Sequence, residues 1–186
     1  RHPGSNFKPF VYSAALENGF TAASLINDAP VMVEDTSLEG IWRPENDGGK
    51  FHGPTRLRWA LTKSRNLVSI RLLQQLGIPA LIRYSERFGF NTADFAPDLS
   101  LALGTHAMSP LDVASAYAVL ANGGFHVEPY LIQRIDDLKG ETVYEAQPLT
   151  VCRECDIRQN NADEEAELSM DEIMLTQDEN IVEVKL

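Results

Sequence analysis

Ser5 and Lys8 stand three residues apart near the start of the chain, a spacing at which an alcohol and an amine can act together. A serine hydroxyl is a weak nucleophile until a neighbouring base takes its proton. Positions three apart share one face of a helix, so Lys8 is expected to reach the Ser5 hydroxyl directly. A lysine in a dry pocket near other donors loses its proton more readily and can then serve as that base.

A second hydroxyl and a carboxamide follow in the triplet Ser64-Arg65-Asn66. Ser64 is expected to relay protons, Asn66 to hold a substrate carbonyl, and Arg65 to be a structural or rim charge. Taken alone, the Ser5–Lys8 pair and the Ser64–Asn66 triplet are explained without catalysis. Serine and asparagine often cap helices, and a Ser–Lys spacing of three arises by chance. Pro9 favours a helix that begins near Ser5, since proline is tolerated in the first helical turn.

Proline and glycine divide a mainly helical pattern that must position these residues. Helices are predicted over residues 5–18, from Pro54 to just before Ser64, over 66–76, over 79–88, and from Pro110 to Asn122 with Ser109 as N-cap. A short strand is predicted at 30–34, a loop at 43–49, and a β-hairpin from 131–135 and 141–144. The pattern predicts an α+β fold that is predominantly α.

Negative charge is concentrated at the C-terminal end. The chain has 186 residues, 44% of them hydrophobic, which suits one globular domain with a real core. Of the net charge of −11, about −8 falls from Cys152 onward, where eleven acidic residues face three basic ones. Such a balance argues against nucleic acid or anionic lipid as a partner. Residues 151–186 are expected to form a flexible acidic insertion or tail, with weak helical periodicity over 168–175.

No metal site is predicted from the cysteines or histidines. Cys152 and Cys155 supply half of a zinc site at most. They are expected to be structural or incidental, and a local disulfide or a redox or metal role remains an alternative. The histidines are scattered without a His-x-x-x-His pattern and are expected to pack or lie at the surface: His2, His52, His106 and His126.

Several further segments carry a resemblance to a known family. They are Trp42-Arg43-Pro44-Glu45-Asn46, Gly53-Pro54-Thr55-Arg56, Leu101-Ala102-Leu103-Gly104, Ser109-Pro110-Leu111-Asp112, and Ala116 to Gly124. With the Ser-x-x-Lys and Ser-x-Asn motifs they resemble the transpeptidase domain of class A penicillin-binding proteins, the bifunctional cell-wall synthases, most closely the 1A type. The likeness runs from the first residues to about Pro148.

One motif of that family does not occur in this sequence. No Lys-Thr-Gly or Lys-Ser-Gly is found, whereas in the family this motif lies on a strand that lines the active site. We therefore expect an internal fragment in which residues 1–150 are the helical part of a penicillin-binding-protein or serine β-lactamase-like transpeptidase domain. The main sheet and the Lys-Thr-Gly strand are expected to be largely absent.

The resemblance implies a serine D,D-transpeptidase that cross-links peptidoglycan. Ser5 would attack the carbonyl of the penultimate D-alanine of a stem peptide, and Lys8 would take its proton. Ser64 would pass a proton to the leaving amine, and Asn66 would bind the donor peptide. β-Lactam antibiotics would acylate Ser5, and no cofactor is implied.

The same resemblance implies a membrane-anchored parent protein at the periplasmic face of the bacterial inner membrane, with a glycosyltransferase domain and cell-wall synthesis proteins as partners. Two alternatives stay open. One is a serine β-lactamase-type hydrolase, although no Glu-x-x-Leu-Asn stretch supplies a carboxylate for deacylation. The other is a catalytically inert helical subdomain or interaction fragment.

Overall fold

The computed structural model describes residues 1–35 and 40–148. It divides the chain into two units, Arg1–Leu131 and Ile132–Leu186, and the second is described over 132–148. The predicted acidic segment 151–186, its two cysteines and the periodicity at 168–175 lie outside the described residues.

Helices make up most of the first unit. Its described part contains the 3₁₀ helix Gly4–Phe7, α1 Lys8–Glu17, α2 Leu57–Thr62, α3 Asn66–Leu76, α4 Ile78–Glu86, the 3₁₀ helix Leu99–Leu103, and α5 Pro110–Ala121. Helix α1 is central, because apolar residues on several of its sides are fully buried, among them Phe10, Val11 and Ala14. It packs against α2, α3 and α4.

Two small antiparallel sheets accompany these helices. Strand β1 Leu25–Asp28 pairs with β4 Gly53–Arg56, and β2 Val33–Asp35 pairs with β3 Gly40–Trp42. Strand β4 leads directly into α2, while β1 packs against α3. The first sheet therefore supports both helices that flank the Ser64-Arg65-Asn66 turn.

Buried aromatic rings fix the turn that carries Ser5 and Lys8. The rings of Phe7 and Phe10 lie 5.6 and 5.0 Å from the ring of Phe90, measured between centroids. Phe10 also contacts Phe88 at 4.9 Å and Tyr117 at 5.3 Å in edge-on arrangements, which aromatic pairs prefer. Because these rings are packed from several sides, residues 4–10 have little freedom to move.

Most of the predicted helices are confirmed. The segment 5–18 forms a 3₁₀ turn followed by α1, the segment 66–76 coincides with α3, and 79–88 corresponds to α4. At the start of α5, Ser109 Oγ accepts a hydrogen bond from the backbone N–H of Asp112, and Asp112 Oδ2 accepts one from the backbone N–H of Ser109, each at 3.1 Å. This reciprocal pair is a capping box, so Ser109 is the N-cap that the sequence predicted.

The prediction that Pro54 opens a helix is wrong. Pro54 lies inside β4 opposite Asn27, and α2 begins only at Leu57. Among the described residues β4 has β1 as its one neighbour, so a proline without an N–H can be accommodated on the unpaired side. The strand predicted at 30–34 occurs instead at Val33–Asp35, where β3 supplies a partner, and β1 was not predicted.

The second unit contains the predicted hairpin in shorter form. Strands β5 Arg134–Asp136 and β6 Thr142–Glu145 pair antiparallel, and Gly140 supplies a positive φ of 85° in the turn. An α+β composition with predominant helix is thus confirmed for the part of the chain that is described. None of the helices within residues 1–35 and 40–148 is long and apolar enough to cross a membrane.

Candidate active site

The structure places Ser5 at the surface and Lys8 in the interior, on the same turn of chain. Ser5 lies in the 3₁₀ helix, where the first N–H groups have no partner within the helix, and its side chain is exposed. Lys8 opens α1 and is only 1% exposed. The change from 3₁₀ to α-helix between them sends the alcohol outward and the amine inward.

Two contacts hold this turn from outside. Gly104 has a φ of 67°, and a Cβ built on it would lie 2.2 Å from the backbone oxygen of Gly4. The backbone N–H of Gly4 donates to the Gly104 carbonyl at 3.1 Å. Tyr117 Oη donates to the carbonyl of Asn6 at 2.9 Å. Gly104 therefore permits a close backbone approach immediately before Ser5.

Ser64 occupies a position at which proteins usually place glycine. Within the described ranges it is the one non-glycine residue with a positive φ, 51°. Its backbone N–H donates to the carbonyl of Leu61, and that of Arg65 donates to the carbonyl of Ala60, each at 2.9 Å. These two bonds form a Schellman motif that ends α2, with Ser64 in the left-handed position. The strained backbone aims the Ser64 hydroxyl toward Lys8.

The Lys8 ammonium joins the two motifs. Nζ donates to the Ser64 carbonyl at 2.8 Å, to Ser64 Oγ at 2.9 Å and to Asn66 Oδ1 at 2.7 Å. An ammonium has three N–H donors, so all of them are used. Ser64 Oγ in turn donates to Ser5 Oγ at 3.0 Å.

The expected direct contact between Lys8 and Ser5 is replaced by a relayed one. The three donors of Nζ are taken by residues 64 and 66, so Lys8 connects to the Ser5 hydroxyl through the Ser64 hydroxyl. The spacing of three predicted that the two side chains would share one face of an α-helix. Because Gly4–Phe7 is a 3₁₀ helix and Lys8 is buried, the two side chains point in different directions.

Burial, and to a smaller extent the positive charge of Arg65, together lower the pKa of Lys8 from 10.5 to about 8. Desolvation disfavours the ammonium, and a nearby cation adds repulsion. At pH 7 this pKa leaves about a tenth of the molecules with a neutral amine, far more than for a free lysine. A neutral Lys8 can accept a proton from Ser64.

The Asn66 side chain is oriented by contacts on both of its amide atoms. Oδ1 accepts from Lys8, while Nδ2 donates to the backbone carbonyl of Glu45 at 2.8 Å. The Glu45 carbonyl needs an N–H donor and the Lys8 ammonium needs an oxygen acceptor, so only one orientation of the Asn66 amide satisfies both contacts. Glu45 lies in the predicted loop 43–49, which had no assigned role.

All four predicted site residues thus form one hydrogen-bonded group. Sequence reasoning missed two buried residues beneath it, Asp28 at the end of β1 and Asn46 in the loop. Arg65, expected to be a structural or rim charge, is structural, because its guanidinium points inward to Asp28. Asp28 is separated from Arg65 by 37 positions, so no local pattern could pair them. The available signal for this buried group was that two polar residues, Asn46 and Arg65, lie inside motifs that were recognised in the sequence.

A cleft of about 580 Å³ opens elsewhere, between β4 and α2, and it is not lined by any of the four site residues. Three histidines are accounted for by packing or local contacts: His52 against Trp59, His106 against Phe95, and His126 beside Gly89. Within the residues described, no group of three or more His, Cys, Asp or Glu side chains could hold a metal ion.

Comparison with known proteins assigns the class. The family described as penicillin binding protein transpeptidase domain matches residues 1–178, and the chain belongs to that family. Penicillin-binding protein 1A of Pseudomonas aeruginosa is 55% identical over 148 residues, covering 80% of this chain and 18% of the relative. The protein of that name from Escherichia coli is 43% identical over 157 residues, covering 84% and 18%. Both of these relatives are of the 1A type, and the chain spans less than a fifth of the length of each.

Solved structures agree with this assignment. The crystal structure of penicillin-binding protein 1A from Haemophilus influenzae superposes with a TM-score of 0.76 at 41% identity, covering 82% of this chain and 23% of that one. A ceftriaxone acyl-enzyme complex of penicillin-binding protein A from Mycobacterium tuberculosis superposes with a TM-score of 0.70 at 25% identity, covering 80% and 38%. The fold is thus that of penicillin-binding transpeptidase domains, present in part, as the resemblance implied.

Proposed function

We propose that this chain supplies the nucleophile and the proton relay of a peptidoglycan D,D-transpeptidase. The observation that carries the proposal is the continuous path from Ser5 Oγ through Ser64 Oγ to Lys8 Nζ, with steps of 3.0 and 2.9 Å. Such a path lets an exposed alcohol lose its proton to a buried amine whose pKa is already lowered. Membership of the family adds the substrate class, stem peptides ending in D-Ala-D-Ala.

The acylation step uses Ser5, Ser64 and Lys8. Ser5 Oγ attacks the carbonyl carbon of the penultimate D-alanine, its proton moves to Ser64 Oγ, and the Ser64 proton moves to neutral Lys8. The tetrahedral intermediate then collapses as the C–N bond breaks. The leaving D-alanine amine takes the proton back from Lys8 through Ser64, and an ester on Ser5 remains.

The second half of the reaction reverses this path. An amine of a neighbouring stem attacks the ester carbonyl and loses its proton through Ser64 to Lys8. The C–O bond to Ser5 then breaks, Ser5 Oγ takes the proton back from Lys8 through Ser64, and the new amide is the cross-link. The Asn66 amide, held by Glu45, would bind the donor peptide throughout.

Oxyanion stabilisation is the part that this chain supplies incompletely. The backbone N–H of Ser5 lies in the first turn of its helix and is suited to bind the developing oxyanion. The sequence contains no Lys-Thr-Gly segment to add a second donor. Loss of one such donor slows catalysis by about 100- to 1,000-fold, so we expect the isolated chain to be weak or inactive.

A fluorescent penicillin tests the proposal. β-Lactams are expected to acylate Ser5, as in the ceftriaxone acyl-enzyme of the M. tuberculosis relative. The intact gene product that contains this chain should label, and mass spectrometry should locate the adduct on the peptide that contains Ser5. Ser5→Ala should abolish labelling, while Ser13→Ala, in helix α1 that follows directly, should retain it.

The opposite results are equally specific. An adduct on another residue, or no adduct, contradicts the assignment of Ser5. Rapid release of hydrolysed drug favours the β-lactamase alternative. The family match favours neither that alternative nor the inert fragment. From the same family membership we propose that the intact protein is anchored in the bacterial inner membrane and acts at its periplasmic face. We propose that its partners are cell-wall synthesis proteins and not nucleic acid.

A further inference from the structure

A buried polar cluster lies beneath the Ser64-Arg65-Asn66 turn. Its members are Asp28, Asn46 and Arg65, which are 0%, 4% and 8% exposed, and we call them the Asp28 cluster. None of their side chains hydrogen-bonds to Ser5, Lys8 or Ser64 in the described part of the chain. Their hydrogen bonds nevertheless fix the loop that ends at His52 and the first turn of α3, the segments beside Ser64 and Asn66.

The Asp28 carboxylate is the centre of this cluster. Oδ2 accepts from Arg65 Nε at 2.9 Å and from the backbone N–H of His52 at 3.2 Å, and it lies 2.8 Å from Arg65 Nη2 in an ion pair. Oδ1 accepts from Asn46 Nδ2 at 2.6 Å. A buried carboxylate with this many donors is well compensated, whereas removal of its cationic partner leaves an unpaired buried charge.

Arg65 ties the end of α2 to the beginning of α3. Its guanidinium is bound to Asp28 and to the carbonyl of Lys50. Its backbone N–H closes the Schellman motif, and its carbonyl accepts from the backbone N–H and the hydroxyl of Ser69 in α3, at 3.3 and 3.0 Å. The residue between Ser64 and Asn66 is therefore held at its side chain and at both backbone groups.

Asn46 ties the loop to the same helix. Its Oδ1 accepts from the backbone N–H of Leu67 at 3.2 Å, and its Nδ2 also donates to the carbonyl of Lys50 at 3.1 Å. An asparagine from a distant loop thus caps the first turn of α3. The neighbouring carbonyl of Glu45 is the group that orients the Asn66 amide.

We propose that the Asp28 cluster consists of positioning residues that hold Ser64 in its left-handed conformation and aim Ser64 Oγ and Asn66 Oδ1 at Lys8. A strained φ at a non-glycine residue persists only where the surroundings determine it, and here residues 65, 66 and 67 are each anchored directly or through Glu45. The inference rests on the proposed function, because it assigns these residues a part in the rate of Ser5 acylation.

The test measures acylation of the intact gene product by fluorescent penicillin over time. Arg65→Met should lower the acylation rate constant about 100-fold, the size of effect expected when reacting groups are displaced by about 1 Å. Arg65→Lys, which keeps a cation near Asp28, should recover part of that loss. Asn46→Ser, a milder change, should lower the rate less than Arg65→Met does.

A matched arginine serves as the control. Arg87 pairs with Glu17 at 2.9 Å, but the two side chains are 62% and 55% exposed. Exposed pairs contribute little, so Arg87→Met should label at the original rate. The fraction of molecules that finally labels should stay constant in all variants, because a positioning defect changes the rate and not the number of folded sites.

Two labelling results would overturn the inference: an unchanged rate constant in Arg65→Met, or a smaller labelled fraction that reacts at the original rate, which is a folding defect only. Crystal structures supply a readout that does not need acylation. In Arg65→Met, Asn66 Oδ1 should move beyond hydrogen-bond distance of Lys8 Nζ, from 2.7 Å, and an unmoved Asn66 refutes the positioning role. Absence of labelling in the unsubstituted protein would refute the proposed function instead.

Discussion

Two substitutions at Ser64 separate the contribution of its hydroxyl from that of its backbone conformation. Ser64 has a φ of 51° at the position that follows α2, where glycine is the usual residue. Its hydroxyl bridges Ser5 and Lys8. Ser64→Gly removes the hydroxyl and relieves the strain, whereas Ser64→Ala removes the hydroxyl and keeps the strain.

The two variants should therefore differ in stability but not in activity. A left-handed conformation costs a non-glycine residue about 1–2 kcal/mol. A hydrogen bond to a charged group contributes about 1.5–3 kcal/mol, and the lower end applies because Ser64 is exposed and water can replace it. We expect Ser64→Ala to lose about 1.5–2 kcal/mol of unfolding free energy, and Ser64→Gly to be about 1 kcal/mol more stable than Ser64→Ala.

Urea unfolding and penicillin labelling measure the two quantities. Loss of a proton relay lowers a rate by about 100- to 10,000-fold, so both variants should acylate at least about 100-fold more slowly than the original protein. If Ser64→Gly acylated at nearly the original rate, the proton of Ser5 would not pass through the Ser64 hydroxyl. The relay, and with it the indirect role of Lys8, would then be refuted.

Four further results are expected. The acylation rate should rise with pH, be half-maximal at about pH 8 and level off about one pH unit higher, because neutral Lys8 is the base and its pKa is about 8. A rate that falls over this range contradicts that role. The same lowered pKa means that the folded protein binds fewer protons than the unfolded chain between pH 8 and 10.5, so the contribution of Lys8 to stability rises across that window. Gly104→Ala should slow acylation and destabilise the protein more than Gly123→Ala, since both glycines have positive φ but only Gly104 meets other atoms, those of Gly4; equal effects in urea unfolding would exclude the close approach as the cause. Ser109→Ala should cost about 1 kcal/mol of unfolding free energy through loss of the α5 cap, with labelling unchanged.

The four candidate site residues could be predicted from the sequence because the motifs are local. Ser5 and Lys8 are three residues apart, Ser64 and Asn66 two apart, and Pro9 marks the beginning of a helix. The capping box at Ser109 is equally local, since both of its bonds join residues three apart. Patterns that act within one turn of chain can be read without knowledge of the fold.

Predictions failed where a distant partner decides the local structure. Pro54 is in a strand because β1 lies beside it, and propensity alone favoured a helix start there. Lys8 was expected to contact Ser5, but the carbonyl and hydroxyl of Ser64 and the amide of Asn66, 56 and 58 residues away, take its three N–H groups.

The amino-acid sequence by itself determined which chemical groups this protein brings to its candidate site, and that they lie at or beside the ends of helices. Tertiary structure decided the order in which those groups are connected, the lowered pKa of Lys8, and the support that Asp28 gives to Arg65. The physical reason is that desolvation and hydrogen-bond partnership depend on what surrounds a side chain. Those surroundings come from segments far apart in the chain, and folding alone places them together.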